Sequence, residues 1–407
     1  MGTKLIPRPH YTAWLQRWRG KGVIKVITGM RRSGKSCVFE LFRDELRSQG
    51  VPDANIHNIN FESLDEEYPT DARGLYRYLV QRLGAGTNYV FLDEVQHVTD
   101  FERAVDGLAL RDNIDLYITG SNACLLSSEL ATLLTGRYVE LRLLPFSFSE
   151  FLSARPGGAN PETEFNRFLT YGGLPFSARL DDERSILDYL GGVFSTIVLG
   201  DVAQRYPRMD MRSFRDTAAF LADNIGNITS RKRIAAGLAS TGAKATATTV
   251  GGYLDILIEN YLFLKAGRYD LRGREYLATL EKYYLGDVGL RFWLLGKAQG
   301  DLGHRIENAV YLELLRRYRT VSIGKLGTAE VDFVVTGDLG TEYYQVAQTV
   351  LPDETREREF KPLRSLADNY PKTVLALDRV GVGDYDGIRQ ENVIDWLLGA
   401  GRQRPDR

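Results

Sequence analysis

Cysteine is scarce in this chain, which carries two, Cys37 and Cys124, among 407 residues. Two thiols in apolar surroundings are too few for a disulfide framework or a zinc site, and point instead to buried, reduced side chains. Charge of one sign is lacking as well. The 52 Lys and Arg are balanced by 53 Asp and Glu, a net charge of −1, so any attraction to nucleic acid depends on local patches and not on a whole-chain field. No apolar run reaches the roughly 18 residues that a membrane-spanning helix needs. The first twenty residues hold basic side chains but no apolar core of a secretion signal. Internal repeats and low-complexity runs are missing too. The expectation is a soluble, cytoplasmic protein of two or three domains, with ample material for their cores.

What is present from residue 23 to about 145 is an alternation of short apolar strands with helical stretches, the βα pattern of a parallel sheet. The spacing predicts strands at 23–28, 55–61, 88–93, 114–119 and 138–142. Several end in polar residues: Glu62 after the second, Asp93-Glu94 after the third, Gly120-Ser121-Asn122 after the fourth. In open α/β sheets that carboxyl edge is where ligands bind.

The first strand runs into Gly29-Met30-Arg31-Arg32-Ser33-Gly34-Lys35-Ser36, followed by Cys37 and a helix-forming run. This is G-x-x-x-x-G-K-[ST] in a strand–loop–helix context, a cradle for phosphate oxygens. Glycines admit backbone N–H groups close to the phosphates, and the helix N-terminus adds partial positive charge. Lys35 would reach the β- and γ-phosphates of a nucleoside triphosphate, and the Ser36 hydroxyl would ligate Mg²⁺. Asp93, 58 positions after Lys35 on a strand of the same sheet, supplies a hard oxygen for that metal, and Glu94 would polarise the attacking water. Asn122 has two readings, orienting that water or capping a turn. Arg137 also has two: an arginine finger delivered from a neighbouring subunit, or an ion-paired surface side chain. Glu62 is a second candidate for water activation and Arg205 for phosphate sensing, while Arg31 and Arg32 can be simply solvated.

Beyond a Gly/Ala/Pro-rich loop at 154–161 the pattern turns helical. Helices are expected at 230–240 and 248–259, with a β-hairpin from Leu262-Phe263-Leu264-Lys265 to Lys282-Tyr283-Tyr284-Leu285, the outline of a winged helix. Arg231, Lys232, Arg233, Lys244, Arg268, Arg272 and Arg274 cluster there. DNA is the leading macromolecular partner on this pattern, although winged helices also dock proteins. After residue 301 the order becomes αβββαβ, with helices at 305–319 and 354–369 and strands at 320–323, 330–335, 343–348 and 373–377. Many metal-dependent nucleases have that core topology.

The segments Val26–Ser36, Phe91-Leu92-Asp93-Glu94-Val95-Gln96, Ile118-Thr119-Gly120-Ser121-Asn122 and Leu134-Thr135-Gly136-Arg137 resemble a family of prokaryotic AAA-type P-loop ATPases that carry a C-terminal domain of unknown function. Leu144-Pro145-Phe146-Ser147-Phe148-Ser149-Glu150-Phe151 and Tyr171-Gly172-Gly173-Leu174-Pro175 extend the likeness over nearly the whole chain. The resemblance implies ATP and Mg²⁺ as ligands, held through Lys35, Ser36 and Asp93. It also implies a tail similar to the restriction-endonuclease-like fold. Such nucleases place an acid on the first helix, an Asp at the start of the second strand and Glu/Gln-x-Lys on the third. Glu307 and Asp332 take the first two places, but the third reads Gln345-Val346-Ala347. With alanine in the lysine's place one route to a reactive hydroxide is missing, and an inactive nuclease fold is expected. Lys325 is the nearby candidate to substitute.

The expected architecture is therefore α/β: an AAA-type ATP-binding domain at 1–155, a helical lid or linker at 156–225, a winged-helix-like domain at 226–300 and a restriction-endonuclease-like domain at 301–407. The expected function is an Mg²⁺-dependent ATPase switch or motor acting on DNA or a partner protein, with a homo-oligomer required if Arg137 acts in trans. Its rivals are an ATP-gated nuclease using Glu307 and Asp332, and a non-hydrolysing ATP-bound scaffold.

Overall fold

The computed structural model describes residues 5–63, 67–121, 136–203, 206–240, 245–273, 275–296, 301–337 and 340–399. They form two compact units, one of residues 1–145 with 259–261, the other of 146–258 with 262–407.

In the first unit α1 (Pro9–Trp18) precedes β1 (Ile24–Thr28), α2 (Lys35–Ser48), β2 (Ile56–Asn60), α3 (Ala72–Val80), β3 (Asn88–Asp93), α4 (Phe101–Ala109), β4 (Ile114–Gly120) and β5 (Tyr138–Arg142). The strands pair in the order β2-β3-β4-β1-β5, all parallel. Each predicted strand is present, its ends moved by at most one residue. Alternation along the strands sorts the core into two layers. Val26, Val90, Leu92 and Ile118 pack with Leu75 and Leu79 of α3 and Val105 and Leu108 of α4. On the opposite face Ile27, Phe91 and Tyr117 pack with Tyr11 and Leu15 of α1 and Val38, Phe39, Phe42 and Leu46 of α2. Lys25 interrupts β1 yet is fully buried, because its ammonium pairs with Asp115 on the neighbouring β4. With both faces covered, the polar strand ends are left at the two edges of the sheet.

The second unit opens with α5 (Phe148–Ala154), α6 (Pro161–Tyr171), α7 (Glu183–Ser195), α8 (Met211–Asp223), α9 (Arg231–Ser240) and α10 (Ala247–Glu259). Ser147 and Glu150 form a reciprocal capping box at α5, and Asn160, Asp182 and Asp210 cap the next three helices. Then come β6 (Phe263–Asp270), β7 (Glu275–Leu285), α11 (Gly289–Leu295), α12 (Leu302–Arg317), β8 (Thr320–Leu326), β9 (Ala329–Gly337), β10 (Gly340–Val346), α13 (Asp353–Arg364), β11 (Lys372–Ala376), β12 (Gly383–Tyr385), β13 (Ile388–Asn392) and α14 (Val393–Leu397). The helix expected at 354–369 stops at Arg364, and Asp368 beyond it accepts hydrogen bonds from the Tyr343 hydroxyl and the Tyr370 N–H.

One connection departs from the sequence reading. The hairpin expected as a separate wing lies in the same eight-stranded sheet as the tail, in the order β12-β13-β11-β10-β9-β8-β6-β7. Arg268, Tyr269 and Asp270 of β6 run parallel to Ile323, Gly324 and Lys325 of β8. The hairpin thus covers what would otherwise be an open sheet edge, and the expected boundary near residue 300 is bridged by strand pairing.

Candidate functional site

The carboxyl ends of β1, β3 and β4 converge on the Gly29–Ser36 loop. Gly29 has φ of 147°, and a Cβ there would lie 2.3 Å from the Leu143 carbonyl oxygen, so glycine alone lets the loop leave β1 so close to the chain following β5. Arg32 and Gly34, with φ of 65° and 99°, complete the reversal. The helix α2 then begins at Lys35 without a side-chain cap, which aims its first N–H groups and its positive end into the loop.

Lys35 is 4% exposed, and its ammonium donates to the carbonyls of Gly29 at 3.2 Å and Met30 at 3.5 Å. It also stands 3.3 Å from Glu94 Oε1. Asp93, the last residue of β3, accepts hydrogen bonds from the hydroxyls of Thr119 and Ser36. Burial pushes its carboxyl pKa up, an effect those two donors partly offset. Glu94 adopts φ of 53°, the left-handed region, at a cost of roughly 1 kcal/mol. Its N–H donates to Thr119 Oγ1 at 2.9 Å, and its Oε2 accepts from Gln96 Nε2 at 2.6 Å. Burial raises the Glu94 pKa, but the Lys35 charge and the Gln96 hydrogen bond outweigh it, so the net shift is downward and the group is ionised near neutrality.

Three buried polar atoms in these segments, Ser33 Oγ, Gln96 Oε1 and Ser121 Oγ, lack a hydrogen-bond partner among the described residues. Such atoms normally find one. A triphosphate with its water would supply acceptors to the two hydroxyls and a donor to the amide oxygen. The Ser36 hydroxyl and Asp93 carboxylate are a hard-oxygen pair suited to Mg²⁺. The residues present therefore fit both ligands.

Other expected residues fall elsewhere. Arg31 is not simply solvated; it pairs with Glu62 at 3.0 Å, and Glu62 lies 3.9 Å from His97. Cys37 is exposed, not buried, because Val38, Phe39, Phe42 and Leu46 turn the opposite face of α2 to the core. Arg137 precedes β5, its carbonyl accepting from Ile24 N at the start of β1. It lies at the amino edge of the sheet, a strand length of roughly 15 Å from the loop, and pairs with Asp106 at 2.9 Å. It cannot serve the loop of its own chain from there. Asn122, Cys124, Arg205, Lys244 and Arg274 lie outside the described residues.

Three contributors escaped the sequence reading. Arg8 is 2% exposed and donates to the carbonyls of Ser33 at 3.0 Å, Leu144 at 2.9 Å and Pro145 at 3.3 Å. Thr119 links Asp93 to Glu94, a role its place beside them on β4 would have suggested. Gln96 holds Glu94 from two residues away. In the second unit Glu307, Asp332 and Gln345 do come together, but Lys325 does not join them; it lies 3.5 Å from Asp270. The lysine that enters is Lys282 of β7, 3.2 Å from Glu307 Oε1.

Residues 21–152 match a family described as an AAA domain, and residues 162–301 one described as a domain of unknown function, DUF8612. Over 403 residues the chain is 38% identical to an uncharacterized protein of Haemophilus influenzae, covering 98% of this chain and 100% of that one. An uncharacterized protein of Methanocaldococcus jannaschii is 28% identical over 361 residues, 83% of this chain and 77% of the other. Among solved structures, a Walker-type ATPase of Pyrococcus abyssi aligns with a TM-score of 0.50 at 15% identity, over 71% of this chain and 95% of that one. That last likeness is one of fold. Together with the parallel sheet and its phosphate cradle, these matches show that the chain belongs to the AAA-type P-loop ATPase family whose members carry a domain of unknown function behind the AAA domain.

Proposed function

We propose that the chain is an Mg²⁺-dependent ATP hydrolase whose turnover is coupled to engagement of DNA or a partner protein by the second unit. The observation that carries the reading is the meeting of Lys35, Ser36, Asp93 and Glu94 at the uncapped start of α2. Loop N–H groups and Lys35 bind and orient the phosphates. Ser36 and Asp93 hold Mg²⁺, whose bound form supplies Lewis-acid polarisation of phosphate oxygens. Glu94, kept ionised, accepts hydrogen bonds from the attacking water and orients it. Its present partner is Lys35, so binding of phosphates by Lys35 releases Glu94 for that task. Exposed Arg231, Lys232 and Arg233 on α9 support contact with a polyanion.

Phosphate release is to be measured with and without duplex DNA. Wild type should hydrolyse ATP, and Glu94→Gln should lose at least about a hundredfold in turnover, the usual size of general-base catalysis, while keeping ATP affinity. Unchanged turnover in Glu94→Gln would sink the assignment, and wild type that binds but never hydrolyses would leave the scaffold reading in its place. Absence of DNA stimulation would favour a protein partner.

A further inference from the structure

In the second unit four carboxyl side chains converge from three elements: Glu307 of α12, Glu330 and Asp332 of β9, and Glu359 of α13. Glu330, Asp332 and Glu359 border a cavity of about 750 Å³ that Gln345 also lines. Carboxylates this close together repel one another, an effect that a cation among them offsets, and this chain supplies its own. Lys282 is 4% exposed, with its ammonium 3.2 Å from Glu307 Oε1 and 2.7 Å from Glu330 Oε1. Glu307 Oε1 also accepts from the Tyr284 hydroxyl at 2.6 Å. Glu359 accepts from Gln345 Nε2 at 2.9 Å and from Arg358 at 2.8 and 3.0 Å. Asp332 Oδ2 accepts from the Val346 N–H at 2.9 Å.

We propose that Lys282 is the resident cation of this acid cluster, occupying the charge position a divalent metal would need, so that the second unit cannot use the cluster to hydrolyse phosphodiester bonds. The proposal stands apart from the nucleotide site. Two observations support it. Burial by itself would lower the Lys282 pKa, but the charges of Glu307, Asp332 and Glu330 outweigh it and the net shift is upward, so the ammonium stays charged. Gln345 has both ends engaged, its amide nitrogen on Glu359 and its oxygen accepting from Asp332 N at 3.2 Å, which leaves its oxygen turned away from a ligand role. A dication placed among these groups would meet the ammonium at hydrogen-bond range, and one of the two must leave. With Glu307 and Glu330 drawn onto Lys282, Glu359 onto Gln345 and Asp332 onto the Val346 N–H, no three His, Cys, Asp or Glu side chains among the described residues are placed to hold a metal ion, so metal binding requires that these acids first be released.

The test titrates Mn²⁺ into nucleotide-free, full-length protein, reading unbound Mn²⁺ by electron paramagnetic resonance and folding by thermal melting. Wild type should show no Mn²⁺ binding that depends on Asp332. Lys282→Met should gain such binding, at least about tenfold tighter (about 1.4 kcal/mol) than wild type, with a melting temperature that rises with Mn²⁺. The gain should vanish in Lys282→Met/Asp332→Asn. Should Lys282→Met refold only with Mn²⁺ present, that too supports the proposal. Failure to refold with or without Mn²⁺, or a folded Lys282→Met that binds none, overturns it. So does wild-type Mn²⁺ binding or Mn²⁺-dependent plasmid cleavage that Asp332→Asn abolishes.

Discussion

Replacing Arg8 by methionine isolates what holds the phosphate loop in shape. The guanidinium uses one nitrogen on the Ser33 carbonyl, inside the loop, and another on the carbonyls of Leu144 and Pro145, beyond β5. It also lies 4.5 Å from the centre of the Tyr11 ring on α1. Hydrogen bonds with one charged partner contribute about 1.5–3 kcal/mol each. The bond to Ser33 and the shared pair to Leu144 and Pro145 count as two such bonds, since one nitrogen serves two acceptors. Methionine keeps the apolar stem but removes the charged donor from these carbonyls, so Arg8→Met should cost about 3–6 kcal/mol. For a unit of this size that lowers the melting temperature by roughly 6–24 °C. Lysine, a point donor without the planar fork, should recover less than half of the loss.

A second readout separates the loop from general stability. Once the Ser33 carbonyl is released, the loop populates arrangements that do not bind phosphate. If the competent arrangement falls to about a tenth, the apparent ATP affinity weakens about tenfold. Melting curves and titration with a fluorescent ATP analogue, both below the melting transition, measure the two effects. An unchanged melting temperature would refute the hydrogen-bond accounting. A lowered one with unchanged affinity would refute the link between the clamp and the loop.

Asp287, fully buried in the second unit, accepts from the N–H groups of Gly173 at 2.7 Å and Gly289 at 2.9 Å, and burial pushes its pKa up to about 6. Because the folded value lies above the ordinary carboxylate value, its contribution to stability is present below about pH 4 and lost as pH rises through 6, about 3 kcal/mol in all. The difference in unfolding free energy between wild type and Asp287→Asn should therefore change between pH 4 and 7, and a difference constant with pH contradicts the assignment. Arg137 forms a surface pair with Asp106 worth about 0–1 kcal/mol, so Arg137→Ala should melt like wild type. If it is a finger in trans, the same variant loses at least about a thousandfold in ATP turnover, partly restored by mixing with Glu94→Gln protein; full activity in Arg137→Ala alone rules that role out.

The Gly29–Ser36 loop and its neighbouring acids were legible as a candidate site because their parts are local. A strand, a glycine-rich turn and a helix start are contiguous in sequence, and Asp93-Glu94 stands out as a polar end to an apolar run. What was not legible depends on partners distant along the chain. Nothing in the sequence around Arg8 indicates that it will meet Ser33 and Leu144. The exposure of Cys37 follows from which face of α2 the sheet covers, and the neighbouring Val38 and Phe39 could equally have carried Cys37 inward with a small rotation of the apolar stripe. Which edge of the sheet Arg137 takes is likewise set by the parallel pairing of β5 with β1.

The hairpin β6–β7 carries the same lesson into the chemistry of the second unit. Two helices and a hairpin make the outline of a winged helix, and local pattern cannot distinguish a free wing from a strand pair that extends a neighbouring sheet. Pairing of Arg268–Asp270 with Ile323–Lys325 decides the matter, and it has a consequence for charge. Lys282 lies on β7 of this hairpin and reaches Glu307 and Glu330 of the acid cluster. Joined to the sheet, β7 delivers its ammonium to that cluster from outside the segment where Ala347 replaces a lysine. The missing lysine and the joined hairpin are then linked, because the hairpin whose β6 pairs with β8 also carries, on β7, an ammonium of the kind the tail's own third strand lacks.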